Sequence, residues 1–289
     1  KGKAATPAKP AAAKPAPAAP ANATLVSVQD RRTDGSFATC RLGVELPDFP
    51  AHEVKAARVV VTKAVDDLGT SLLPEDAAGA RLEPTQRGQF GGPEKGKPAP
   101  PTIVFPEMKN PPRKAKALKE VAGEIELFVP SRDPNGEAKL AKFLSLAGAP
   151  VANAALKANG VELTILSKAQ LAAERKKAED AERAKAKKEG ITDPETIASM
   201  VENELYSFPK GEEGEVVLKV KDPKKAIQEM KAFDAEGNRV FGTDMEEKGF
   251  RVLKFWNDKP KPDWSLRVEM RSEKSLVRQT FVFRDVPLP

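Results

Sequence analysis

Asp66, Asp67 and Gly69, in KAVDDLGTSLL at 63–73, have the residue types that open a cation-binding loop. Adjacent carboxylates offer oxygen ligands and glycine allows a tight bend. A calcium loop typically needs three or more carboxylates at alternating positions, however, and Leu68 and Thr70 extend the set little. The stretch also has a counterpart, KAFDAEGNRVF at 231–241, aligned without gaps. Lys63/Lys231, Ala64/Ala232, Asp66/Asp234 and Gly69/Gly237 are identical, whereas Asp67 is replaced by Ala235. What the two copies share is what a hairpin needs: an Asp to accept backbone N–H bonds and a Gly three residues later that tolerates positive φ. We read an internal repeat of a structural turn at Asp66, Gly69, Asp234 and Gly237, with no metal bound.

Other chemistry-bearing residues are sparse. His52, the only histidine, stands in the loop-like FPAHEV, without a GxSxG or comparable nucleophile signature, so a surface or capping role is expected. One His and one Cys do not make a zinc site. Neither GxxxxGK[ST] nor GxGxxG occurs, so no phosphate cradle and no cofactor are expected. Cys40 falls in CRLGVEL, where Cys40, Leu42, Val44 and Leu46 share one strand face, the setting of a buried core thiol. These residues point to no catalytic group and to a protein that is not an enzyme. The one binding candidate is FWNDKPKPDW at 255–264, which holds both tryptophans. Phe255, Trp256 and Trp264 could stack on a sugar ring, although Trp264 also begins an apolar strand stripe and suits a sandwich core.

The elements that must position these residues follow from composition and period. Residues 1–22 hold ten Ala, five Pro and four Lys with no acid, a disordered Ala/Pro/Lys-rich spacer biased to polyproline II. From residue 23, TLVSVQD, ATCRLGVEL, VKAARVVVTKAV, TIVF, VAGEIELFV and GVELTIL read as strands punctuated by Gly, Pro, Asn and Asp. Residues 84–112 are dense in Pro, Gly and Lys and read as a long surface loop with TIVF its one candidate strand. KAQLAAERKKAEDAERAKAKKE, 168–189, is a helix with Leu171 as its only large apolar residue, expected to protrude. TDPETIASMVENEL follows as a second helix, with Ile197, Met200, Val201 and Leu205 on one face. EVVLKV, WSLRVEMR and VRQTFVFR return to period-two alternation.

The fold class expected is mainly β. Two immunoglobulin-like antiparallel sandwiches, 23–166 and 206–289, are joined by a helical insertion or hinge at 167–205, behind the 1–22 linker. The net charge of +6 divides into +4 in 1–22, +3 in 168–189 and −1 over the rest, so no specific nucleic-acid face is expected. No run of apolar residues is long enough for a transmembrane span, and the spacer suggests an anchor preceding Lys1. The expected function is that of a structural or protein-interaction protein of the bacterial envelope, periplasm or secreted fraction. The alternatives are a carbohydrate-binding module around Trp256, or weak binding of anionic polymer by the tail and helix.

Overall fold

The computed structural model describes residues 19–20, 22–32, 38–75, 82–85, 99–256 and 258–289. The fold is mainly β, in several antiparallel sheets, and the chain divides into two compact units. The first comprises Lys1–Val129 and Val277–Pro289, the second Pro130–Leu276.

In the first unit, β2 (Thr24–Arg31), β3 (Thr39–Pro50) and β6 (Pro101–Val104) form one sheet, and β7 (Glu107–Met108) also pairs with β3. The other sheet has the order β1 (Ala19–Pro20), β17 (Leu276–Pro287), β8 (Ala117–Phe128), β4 (Ala56–Asp66), β5 (Glu83–Pro84). The core lies between them. Every second residue of β3, from Cys40 through Leu42 and Val44 to Leu46, is at most 1% exposed and packs in one cluster with Val61, Ile125, Leu127 and Phe281. That is the period-two burial of a sandwich-like pair of sheets. Burial pushes the Cys40 thiol up to about 11, aided by the Asp30 charge, so it stays a neutral core group.

The second unit is also two-layered. One sheet runs β10 (Glu162–Ile165), β11 (Glu215–Lys221), β15 (Phe250–Phe255), β14 (Gly242–Glu247). The other runs β13 (Arg239–Val240), β12 (Ile227–Phe233), β16 (Ser265–Met270), β9 (Glu137–Leu140). Val216 and Leu218 of the first sheet and Met230, Ala232, Leu266 and Val268 of the second belong to one buried cluster. A short helix, α1 (Ala154–Asn159), capped by the Asn153 side chain, adds Leu156 to it.

The domain boundaries differ from those expected. Residues 130–166 belong to the second unit, because β9 pairs with β16 and β10 with β11. The last strand belongs to the first unit, where Phe281 and Val286 are buried. Strand β17 lies beside β8, and contacts between them fix its direction. Arg278 Nε donates to Glu126 Oε2 at 2.7 Å, Lys119 Nζ to Asp285 Oδ1 at 3.1 Å, and Leu288 N to Lys116 O at 2.9 Å. Seven residues separate Glu126 from Lys119 and seven separate Arg278 from Asp285, so the strands run antiparallel and Phe128 falls opposite Leu276. The second unit is therefore inserted where the first would otherwise have a hairpin turn.

The helices at 167–205 do not form a hinge between the units. Helices α2 (Lys168–Lys188) and α3 (Pro194–Tyr206) connect β10 to β11, neighbours in one sheet of the second unit. Nor does α2 simply protrude. Leu171 joins Phe208, Val217 and Phe250 in a separate apolar cluster, Ala186 is fully buried, and Lys219 Nζ bonds Glu174 at 2.6 Å. Val217, between the two core residues Val216 and Leu218, explains the attachment: β11 buries side chains on both faces. Ser167 and Gln170 form a capping box at the start of α2, and Asp193 caps α3.

Two further expectations are corrected. Within 1–22, Ala19 and Pro20 pair in parallel with Gln279 and Thr280, while 1–18 and 21 lie outside the described residues. The 84–112 segment is a loop only in part: β6 and β7 both pair with β3, because Thr102, Val104 and Met108 find buried positions there. Residues 86–98 lie outside the described residues.

Candidate functional site

The two Asp–Gly turns have the same hydrogen-bond pattern. Asp66 N donates to Thr70 O at 3.1 Å and Gly69 N to Asp66 O at 3.2 Å; the counterparts, Asp234 N to Asn238 O and Gly237 N to Asp234 O, measure 3.0 and 3.2 Å. Gly69 has φ 83° and Gly237 φ 84°. Each Asp side chain closes its own loop. Asp66 Oδ1 accepts from Leu68 N and Thr70 N at 2.9 and 2.7 Å, and Asp234 Oδ1 accepts from Asn238 N at 2.7 Å. The Asn238 side-chain amide, with backbone N–H groups, holds the Asp234 carboxyl below its ordinary range. Asp67 does not join Asp66 around a common centre. Its two oxygens both accept from Lys116 N at 3.1 Å.

The turns differ in burial, and that sets their sensitivity. Asp66 is 1% exposed, Asp234 half-buried. Asp66→Ala is expected to destabilise the first unit by about 1–3 kcal/mol, because backbone N–H groups near a buried carboxylate lose their acceptor. Asp234→Ala should cost less, about 1 kcal/mol or below, since water can replace the carboxylate. Urea unfolding of each variant checks the ranking; equal costs would contradict it.

The three aromatic candidates are separated by the structure. Trp264 and Phe255 are core residues, 2% and 8% exposed, with ring centroids 5.1 Å apart at 78°, an edge-to-face pair. Neither presents a ring to a ligand, because period-two alternation turns both inward. Trp256, the next residue along, is 64% exposed.

A partner that the sequence reading passed over lies beside it. The last pair in the β14–β15 ladder is Gly242 with Phe255. Phe241 and Trp256 are therefore each the next residue beyond that pair, one on either strand. Phe241 is 57% exposed, and the Arg239 guanidinium sits 5.7 Å from its ring centroid. Both residues stand where the chain passes between sheets: Phe241 between β13 and β14, Trp256 at the head of the connection from β15 to β16. Asp258, Lys259, Lys261 and Asp263 on that connection are exposed and supply a polar rim. The available signal was the repeat itself, which aligns Phe241 with Leu73 and made it look like an inward hairpin residue.

The charged cluster on β12 and β16 is internally paired. On β12 and β16, Lys231 Nζ lies 2.8 Å from Glu229 and 3.2 Å from Glu269, with Lys231 and Glu269 both buried. Arg239 also pairs with Glu229, and Arg267 lies 4.0 Å over the Phe233 ring. A buried amine held between two carboxylates is bound into the sheet. Asp133 accepts from Ser272 Oγ and from Asn135 N, which hold its carboxyl below the ordinary range and tie together the two ends of the second unit. His52 is partly exposed and its carbonyl accepts from Lys55 Nζ at 2.7 Å. Among the described residues no helix is long and apolar enough to cross a membrane, and no group of three His, Cys, Asp or Glu could hold a metal ion. No protein-family model, no curated protein and no solved structure matches this chain.

Proposed function

We propose that the protein is a non-enzymatic interaction protein whose contact surface is the Phe241–Trp256 corner of the second unit. The observation that carries this reading is the joint exposure of two large aromatic residues at adjoining positions, 57% and 64%, beside the Arg239 guanidinium. Trp and Arg dominate the energetics of protein contacts, and exposed aromatics at one spot are seldom left without use. The partner proposed is a protein. A bacterial envelope or secreted location is part of the proposal, supported by the Ala/Pro/Lys composition of 1–22. An immunoglobulin-like identity for the two sandwich-like units belongs here too, supported by their antiparallel pairing and inward alternation.

A second reading, a carbohydrate-binding module, is favoured by the exposed polar side chains of Asp258, Lys259, Lys261 and Asp263 next to Trp256, since sugars need hydroxyl partners as well as a ring face. One experiment addresses both. Trp256→Ala and Phe241→Ala are compared with the unchanged chain by glycan-array binding and by chemical cross-linking to envelope extracts. Loss of a specific cross-linked protein by tenfold or more in both variants, about 1.4 kcal/mol, supports the protein-contact reading. Loss of a glycan signal instead selects the second reading, and no change in either assay refutes both.

A further inference from the structure

The first unit carries a fixed basic edge that the charge count over the whole chain conceals. From Lys109 to Lys119 there are five basic residues and no acid. This loop is pinned at several points. Lys109 N donates to Leu72 O at 2.9 Å, and Asn110 Nδ2 donates to Asp30 Oδ1 at 2.6 Å and to Arg31 O at 2.8 Å. Arg32 Nη2 donates to Pro111 O at 3.0 Å, and Lys116 N to Asp67. Between these anchors Ala115 N bonds Pro112 O at 2.9 Å, closing a turn with Arg113 and Lys114 at its two central positions, both exposed.

The neighbouring acids among the described residues are already engaged. Asp30 accepts from Arg32 and Asn110, Asp67 from the Lys116 backbone, Glu75 from Lys109, and Asp66 from its own turn. Arg31, Arg113, Lys114 and Lys116 are exposed and have no carboxylate partner among the described residues. Four unpaired cations thus decorate one loop and the strand end bonded to it. The loop is held in place by these hydrogen bonds, so little backbone ordering attends its use.

We propose that this edge binds a flexible phosphate-bearing polyanion. Arginine forks match phosphate oxygens in bidentate fashion, and cations spread along an exposed loop engage several phosphates of one strand better than a single small anion. None of the residues from Lys109 to Lys116 is aromatic, so there is no stacking platform for bases and the polymer would be held through its phosphates alone. The site lies in the other unit from the aromatic corner and stands independently of it.

The test uses the full chain and inorganic polyphosphate as probe, with affinity measured by calorimetry between about 50 and 200 mM salt. Four neutralised phosphates predict a log–log salt slope of about −3, at roughly 0.7 per contact on a flexible strand. The double substitution Arg113→Gln/Lys114→Gln should weaken binding at least tenfold and flatten the slope by about 1.4, with an unchanged circular-dichroism melt. Lys185→Gln/Lys187→Gln/Lys188→Gln on α2 should leave binding as it was. Full affinity in the loop variant, or loss in the helix variant alone, overturns the proposal. Equal affinity for poly-glutamate overturns the assignment to phosphate.

Discussion

A chain ending at Leu276 is expected to lose the fold of the first unit and keep that of the second. Strand β17 contributes Phe281 and Val286 to the core of the first unit, and the Phe281 ring sits over Gly123, where even a Cβ would approach within 2.8 Å. Replacing such a phenylalanine alone costs about 3–5 kcal/mol. Removing the strand also strips β8 of its neighbour and leaves Glu126 without Arg278, a total comparable to the whole stability of a domain, about 5–15 kcal/mol. The second unit loses nothing from its own sheets, which are built from residues 137–270. Thermal unfolding of the full chain and the truncated chain, with hydrogen exchange to assign the transitions, checks this. The truncated chain should show fast exchange throughout 22–129 and retain protection in 215–270. Conversely, replacing 130–276 by a short Asn-Gly turn joins Val129 to Val277 and should give a first unit that folds alone. A truncated chain with a protected β4–β8 pair would contradict the assignment of β17.

Trp264→Ala is expected to destabilise the second unit by about 3–5 kcal/mol, the range for emptying a large aromatic site, with the lost edge-to-face contact to Phe255 contributing about 0.5–1.5 kcal/mol of it. Trp264 N also closes a turn onto Lys261 O, and its carbonyl accepts from Phe143 N, so the cavity opens where the β15–β16 connection and the segment after β9 meet. Trp256→Ala, one strand end away, should stay within about 0.5 kcal/mol because its ring is exposed. Urea titrations followed by circular dichroism separate the two. Fluorescence provides an independent check: in Trp256→Ala the remaining Trp264 should emit in the blue and resist iodide. In Trp264→Ala the remaining Trp256 should emit in the red and quench freely. A loss below about 1 kcal/mol in Trp264→Ala would mean that this ring is not in the core.

Strand identity was legible because burial and period coincide. CRLGVEL and WSLRVEMR show in sequence the alternation that the sheets use. The two Asp–Gly turns were legible for the same reason, since Gly at positive φ is a local requirement. Connectivity was not. Nothing in VRQTFVFR says that its partner is 150 residues earlier and not beside it, because period-two patterning fixes a face and not a neighbour. The packing of the helical segment is not legible from its large residues, because Ala186 buries as fully as any leucine when another helix lies close. The aromatic corner was half legible. Trp256 was visible as a candidate, while Phe241 was masked by its place in the repeat, and the basic edge by a net charge summed over the chain.

The insertion of one unit within the other inverts the order of assembly relative to the order of synthesis. Residues up to 129 emerge first from the ribosome, yet β8 lacks its neighbour until β17 has been made. At about 5–20 residues per second the wait is on the order of 10–30 s. The second unit, contiguous from 130 to 276, can close completely within that interval. The first-made half is thus the last to finish, with the open edge of β8 and the unfilled seat of Phe281 exposed to chaperones in the meantime. Its final step is the docking of the segment Val277–Pro289, made only after the whole of the second unit.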